Sequence, residues 1–268
     1  MPQAKLIDGR KLAEKTINKV KYKIAKLKKK PGLAVILVGK NPESKLYVSL
    51  KEKACKEAGI EFHSYLLEED CQESEILKVI NFLNTDPEIT GILVQLPLPV
   101  KFDTHKIIEA IDSKKDVDGF HSKTKIISPN VSGIIELIKS TKTGLENKNI
   151  VVLCNSKIFA QPFIEILNKS KVKYLDPKSD PKDLNFALNN ADIIIIGLGK
   201  AHFLQPEMIK EDVILIDFGI NKINNRTLGD VDPKCDQIAA WRTPVPGGVG
   251  PMTIAKLIEN LAEMEVKS

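Results

Sequence analysis

Short runs of consecutive aliphatic residues alternate along this chain with stretches whose apolar positions recur every three or four residues. Leu33 to Val38 is a continuous apolar run after Pro31-Gly32, and Ile92 to Leu96 follows Gly91 and stops at Pro97-Leu98-Pro99. Both predict strands buried on two faces. Between them, Ser44 to Ala58 has helical periodicity and ends at Gly59, and Ser74 to Leu83 predicts a second helix, giving the order β-α-β-α-β. The second half repeats the theme: strands at Ile150 to Leu153, Lys171 to Leu175, Ile193 to Leu198 and Val213 to Asp217, with a helix from about Pro162 to Asn168. A last helix, Met252 to Met264, follows the Pro- and Gly-rich segment Pro244 to Pro251. Strands rich in Ile and Val throughout require helices on both sides of parallel sheets. The fold class is therefore α/β with two lobes, and the boundary falls near residues 121 to 133.

Composition narrows the picture. A length of 268 residues, 43% hydrophobic but 5% aromatic, suits an aliphatic interior that folds without staples. Cys55, Cys71, Cys154 and Cys235 are scattered and form no C-x-x-C pair, so neither zinc nor a disulfide framework is expected and a reducing, cytoplasmic setting is. No metal site is expected. No apolar stretch reaches the roughly 18 residues of a membrane span, and the N-terminus lacks a signal-like core. The net charge of +5 is modest. Seven lysines lie between Lys19 and Lys30, on what reads as one helix with Val20, Ile24 and Leu27 on its other face. Without interleaved aromatics, this run reads as a solvated face and not as a nucleic-acid footprint.

Three segments put polar groups where a core would not want them. Tyr47 and Lys51, spaced i,i+4, project from one helix face. Gln95 interrupts an apolar strand at its carboxyl end, where open α/β sheets bind ligands. Asp116 and Asp118 share a short loop with Gly119. Each alone also fits a structural reading: a snorkelling surface pair, a hydrogen-bonded core glutamine, an Asx turn.

Taken in order, Tyr47-x-x-x-Lys51, Gly91 to Pro99 (GILVQLPLP), Lys115 to Phe120 (KDVDGF) and Thr243 to Thr253 (TPVPGGVGPMT) resemble the signature segments of the FolD-type methylenetetrahydrofolate dehydrogenase/cyclohydrolase family. Ile7-Asp8-Gly9, Ser44 and Gly229-Asp230-Val231 add to the likeness, which spans nearly the whole chain. The resemblance implies an N-terminal folate-catalytic domain, residues 1–125 with 252–268, and a Rossmann-like dinucleotide domain, residues 126–251. It implies oxidation of methylenetetrahydrofolate with NADP, or NAD, and hydrolysis of the methenyl product to formyltetrahydrofolate, within one-carbon metabolism and purine biosynthesis. Lys51 is the implied central catalytic group, with Tyr47, Gln95 and Asp118 around it. Leu96, Pro97, Gly247 and Gly248 join Tyr47, Gln95 and Asp118 in holding the folate; Cys154, Asn155, Ser156 and Ile220 hold the dinucleotide. A homodimer through the second lobe's sheet edge is also implied.

One segment departs from the family. Its phosphate turn reads approximately G-[RA]-S-x-x-V-G-x-P, whereas this chain has Cys154-Asn155-Ser156-Lys157-Ile158-Phe159-Ala160-Gln161-Pro162. Cys154 and Ala160 replace glycines, and Asn155 stands where an arginine often meets the NADP 2′-phosphate. Asp176-Pro177-Lys178-Ser179 replaces an H-[SR]-x-T segment, setting a carboxylate near the ribose, as NAD sites do. Twelve residues separate Phe120 from Gly133, and the family's P-C-T-P-x-G is missing. These departures leave two further readings: a cyclohydrolase without hydride transfer, and a folate-binding module without turnover.

Overall fold

The computed structural model describes residues 3–267. Its elements are, in chain order, β1 (Lys5–Leu6), α1 (Gly9–Ile24), β2 (Gly32–Val38), α2 (Pro42–Ala58), β3 (Glu61–Leu67), α3 (Glu73–Thr85), β4 (Gly91–Val94), α4 (Thr104–Glu109), α5 (Pro129–Ser140), β5 (Asn149–Cys154), α6 (Lys157–Ile166), β6 (Lys171–Leu175), α7 (Pro181–Asn190), β7 (Ile193–Gly197), β8 (Ile214–Asp217), β9 (Asn221–Ile223), β10 (Arg226–Leu228), β11 (Trp241–Arg242) and α8 (Val249–Lys267). The chain divides into two compact units: Ala13–Pro129 with the residues from Ile254 onward, and the residues up to Leu12 with Asn130–Thr253.

The first of these units holds a three-stranded parallel sheet in the order β3-β2-β4. Side chains alternate across β2, so its odd and even positions enter different cores. Leu33, Val35 and Leu37 pack with Val48 and Ala54 of α2 and with Leu257 and Leu261 of α8. Ala34, Ile36 and Val38 pack with Ile76, Ile80 and Leu83 of α3. The start of α2 is written locally: the Asn41 side chain accepts from the N–H groups of Glu43 and Ser44, Pro42 follows, and Gly59 ends the helix at φ +82.

The second unit holds a six-stranded sheet in the order β1-β11-β8-β7-β5-β6, parallel throughout. Strand order reverses between β5 and β7, because the chain runs from β5 outward to β6 and then returns to β7. The carboxyl ends of β5 and β7 therefore flank a topological switch point, where sheets of this kind bind ligands.

Sequence and structure differ at several boundaries. Residues up to Leu12 group with the six-stranded unit, not with the N-terminal lobe, because β1 pairs with β11. The lysine-rich helix ends at Ile24 and not near Lys30; repeated like charge gives no i,i+4 support, and Pro31-Gly32 forces extension into β2. Leu27 still packs on the core from the following turn. Strand β4 ends at Val94, one residue before Gln95, although the Gln95 N–H still donates to Ile36 O at 2.8 Å. Helix α6 starts at Lys157, capped by Ser156, and takes Pro162 into its interior rather than beginning there.

Candidate functional site

The buried face of α2 is Ser44, Val48, Lys51, Ala54, Cys55 and Ala58, a helical stripe in which a lysine is out of place. Lys51 is 7% exposed, and its Nζ donates to Gln95 Oε1 at 2.9 Å. Gln95 in turn donates from Nε2 to Leu96 O at 2.7 Å, which fixes the amide with its oxygen toward the lysine. Half-buried Leu96 and exposed Pro97 follow across a cis peptide bond. Burial pushes the Lys51 pKa down, and the nearby Asp118 charge opposes the shift. Desolvation pushes the Asp118 carboxyl up, Lys51 pulls it back, and Asp116 adds a smaller upward push. Tyr47, one turn before Lys51, is half-buried, and burial raises its phenol.

The two carboxylates of the Asp116 to Phe120 loop divide their tasks. Asp116 is buried and accepts from the N–H groups of Gly119 (3.1 Å) and His121 (2.8 Å), so it is the loop's internal brace. Gly119 has φ +73, and a Cβ there would stand 2.7 Å from Ile126 O. Only glycine suits that turn. Asp118 is thereby presented toward Lys51 and not consumed in the turn. Ser44 enters as a residue the sequence signalled only as part of a likeness: its Oγ is buried on the same α2 face, with no hydrogen-bond partner among the described residues.

Gly247 and Gly248 belong to the six-stranded unit. Gly247 sits at φ +117, and a Cβ on Gly248 would stand 2.7 Å from Thr243 Cβ, so neither tolerates a side chain in this turn.

At the switch point, α6 begins directly after β5, which aims its N-terminal N–H groups and positive dipole end at the crevice. Cys154 and Ala160, in place of glycines, are both buried, and Cys154 Sγ donates to the carbonyl of Ser156, the residue that caps α6, at 3.2 Å. Gly199, with φ +68, has open space where a Cβ would lie. Asn155 donates from Nδ2 to Leu198 O at 2.9 Å, tying the turn after β5 to the end of β7. Ser156 accepts from Phe159 N at 3.2 Å, and Ile220 is exposed just after β8. Phe159 packs on Phe218, centroids 4.9 Å apart, and the Phe218 ring covers Gly197. This edge fits a dinucleotide: a parallel switch point, a helix N-terminus and a glycine-lined end of β7.

Behind it lie two buried carboxylates that sequence reasoning assigned no role. Asp230 accepts from the backbone N–H groups of Leu198, Gly199 and Lys200 and from Asn221 Nδ2. One side chain thus joins the end of β7 to the segment after β8. Asp217 accepts from Gly219 N and Val231 N, each at 2.9 Å. Burial raises its pKa to about 6, above the ordinary 3.8, against those hydrogen bonds and with help from the Asp230 charge. The folded state then holds a proton that the unfolded chain releases sooner. This group's contribution to stability is full below the unfolded value and is lost as pH rises through about 6, a span of about 3 kcal/mol. Thermal unfolding followed from about pH 4 to about pH 7 should carry this downward component, and Asp217→Asn should flatten it. An unchanged pH profile in the variant would contradict the assignment.

Among the described residues no group of three His, Cys, Asp or Glu side chains is placed to hold a metal ion, and no helix is long and apolar enough to cross a membrane.

Comparison with known proteins agrees with this geometry. Residues 7–118 match the catalytic domain of tetrahydrofolate dehydrogenase/cyclohydrolase, and residues 128–268 match its NAD(P)-binding domain. The bifunctional protein FolD of Acetivibrio thermocellus is 40% identical, with 96% of this chain and 95% of that protein covered. That of Listeria innocua is 43% identical, with 95% of each covered. The crystal structure of the Campylobacter jejuni bifunctional enzyme FolD superposes with a TM-score of 0.94 at 39% identity, covering 98% of this chain and 99% of that one. The Trypanosoma brucei dehydrogenase-cyclohydrolase, solved with NADP and an inhibitor, gives 0.94 at 28% identity, covering 100% and 99%. With both halves matched over their length and the buried Lys51–Gln95 pair in place, the chain belongs to the tetrahydrofolate dehydrogenase/cyclohydrolase family.

Proposed function

We propose that this protein is a bifunctional enzyme of one-carbon folate metabolism, which oxidises methylenetetrahydrofolate to the methenyl cation with NADP or NAD and hydrolyses that cation to formyltetrahydrofolate. The observation that carries the reading is a buried lysine hydrogen-bonded to a strand-end glutamine in a chain whose relatives are named as bifunctional along their whole length. A bound nicotinamide dinucleotide supplies the hydride acceptor. The chain's own residues do the rest. Burial lowers the Lys51 pKa and so favours the free amine, and an adjacent cationic substrate lowers it further. The neutral amine takes a proton from the water that attacks the methenyl carbon. It returns that proton to the pterin-side nitrogen as the carbon–nitrogen bond opens, and the remaining hydroxyl proton leaves to solvent. Gln95 holds the amine in place between these transfers. Asp118 accepts from the donor groups of the pterin ring, and Tyr47 offers a ring face for stacking.

Cys154 and Ala160 do not argue for a hydrolase alone, since both are buried and Ser156 still caps α6 at the switch point. The retained catalytic group argues against a binding module without turnover. A cytoplasmic enzyme working as a homodimer, paired through an edge of the six-stranded sheet, completes the proposal. Loss of the methenyl absorbance on mixing with the purified protein, faster than in buffer, tests the hydrolytic half. A rate equal to buffer would refute it.

A further inference from the structure

The carboxyl end of β6 carries a charge that the reaction above does not use. β5 and β6 are adjacent and parallel, with Leu153 opposite Leu175, so Cys154 and Asp176 leave the sheet side by side. Asp176 is held by a closed turn. Its N–H donates to Ser179 Oγ at 3.1 Å, its carbonyl accepts from Ser179 N at 3.1 Å, and its Oδ1 accepts from Lys178 N at 2.7 Å. The carboxylate is half-buried and fixed at the strand end. It stands about twenty residues beyond the phosphate turn, the place where dinucleotide-binding sheets read the adenine-side ribose. The other position able to read that ribose, Asn155, is neutral, and its Nδ2 donates to Leu198 O at 2.9 Å.

We propose that Asp176 makes this protein select NAD over NADP, its carboxylate accepting from the free ribose hydroxyls of NAD and repelling the 2′-phosphate of NADP. The inference rests on the dinucleotide reading above. A carboxylate is acceptor-only when ionised and so matches a diol, which donates, and opposes a phosphate, which does not. The exposed Lys178 is the nearest cation along the chain, and it follows Asp176 in the same turn, its backbone N–H donating to the carboxylate.

Titration calorimetry of the purified protein with NAD and with NADP tests this directly, without turnover. The wild type should bind NAD at least tenfold more tightly than NADP. Asp176→Ser, which keeps a short acceptor for the turn, should weaken NAD and strengthen NADP so that the ratio shrinks by tenfold or more. Hydrolysis of methenyltetrahydrofolate and the melting temperature should not change in the variant. NADP binding as tightly as NAD to the wild type, or an unchanged ratio in the variant, would overturn the selectivity while leaving the dinucleotide reading intact. Binding of neither would overturn both.

Discussion

Replacing Lys51 with methionine lowers methenyltetrahydrofolate hydrolysis by about a thousandfold, the typical share of a positioned acid–base group. The argument follows from where the amine sits. Lys51 lies on the buried face of α2 among Val48, Ala54 and Cys55, where Gln95 Oε1 at 2.9 Å and the charge of Asp118 offset its desolvation. Methionine fills the same channel with an unbranched chain. It removes the buried charge, which favours folding, and leaves one amide oxygen without its donor, which costs about 1–3 kcal/mol. The two effects oppose, so the melting temperature should move by only a few degrees while activity collapses. Lys51→Arg should not rescue, because a guanidinium stays charged and cannot take a proton. Initial rates and thermal unfolding of the two variants, measured side by side, check this. Hydrolysis within tenfold of wild type in Lys51→Met would show that the proton moves through another group.

The second large effect belongs to Asp230. Its buried carboxylate accepts from three successive backbone N–H groups, Leu198 to Lys200, and from Asn221 Nδ2; the bond from Leu198 is buried and the other three are part-buried. In Asp230→Ala those donors lose their partner together. The buried Leu198 N–H alone costs about 1–3 kcal/mol when left unsatisfied, and the part-buried donors, which water reaches, add less. The loss is local to the six-stranded unit. Because the ends of β7 and β8 flank the dinucleotide edge, the KM for the dinucleotide should rise more than tenfold. Hydrolysis at Lys51 should persist wherever the protein remains folded. Asp230→Asn, which retains acceptor oxygen, should fall between. Dehydrogenase kinetics and methenyl hydrolysis on one preparation separate these outcomes; equal loss of both at a temperature where the variant is folded would contradict a positioning role.

Much of this architecture was legible in the sequence. The aliphatic runs that became β2, β5, β7 and β8 are too short for helices and too apolar for exposed strands, so period and length agree. Gln95 was legible as a strand-end amide, since a polar group that interrupts an apolar run just before Pro97 has few structural uses. The end of α1 was not, because periodicity at Val20, Ile24 and Leu27 continues through a turn whose last apolar residue packs without being helical. Pro162 misled in the opposite sense. Proline reads as a helix start, but Ser156 had already capped α6. The resemblance singled out Asp118, but the bracing role of Asp116 lay beyond the sequence. Both carboxylates sit in one loop, and only the hydrogen bonds to Gly119 and His121 show which one the loop consumes. The roles of Asp217 and Asp230 arise from tertiary contacts between segments distant in the chain, and the sequence marked Asp230 only as part of a likeness.

The measurement that reaches the central claim is a single incubation of purified protein with methylenetetrahydrofolate and NAD, then NADP, in which reduced cofactor is read in the near ultraviolet and formyltetrahydrofolate is quantified by chromatography. The account predicts that both products appear in equal amounts, faster with NAD, and that Lys51→Met forms no formyl product above the rate in buffer. Wild-type protein that forms formyltetrahydrofolate only from added methenyl substrate, with no reduction of either dinucleotide, would contradict it.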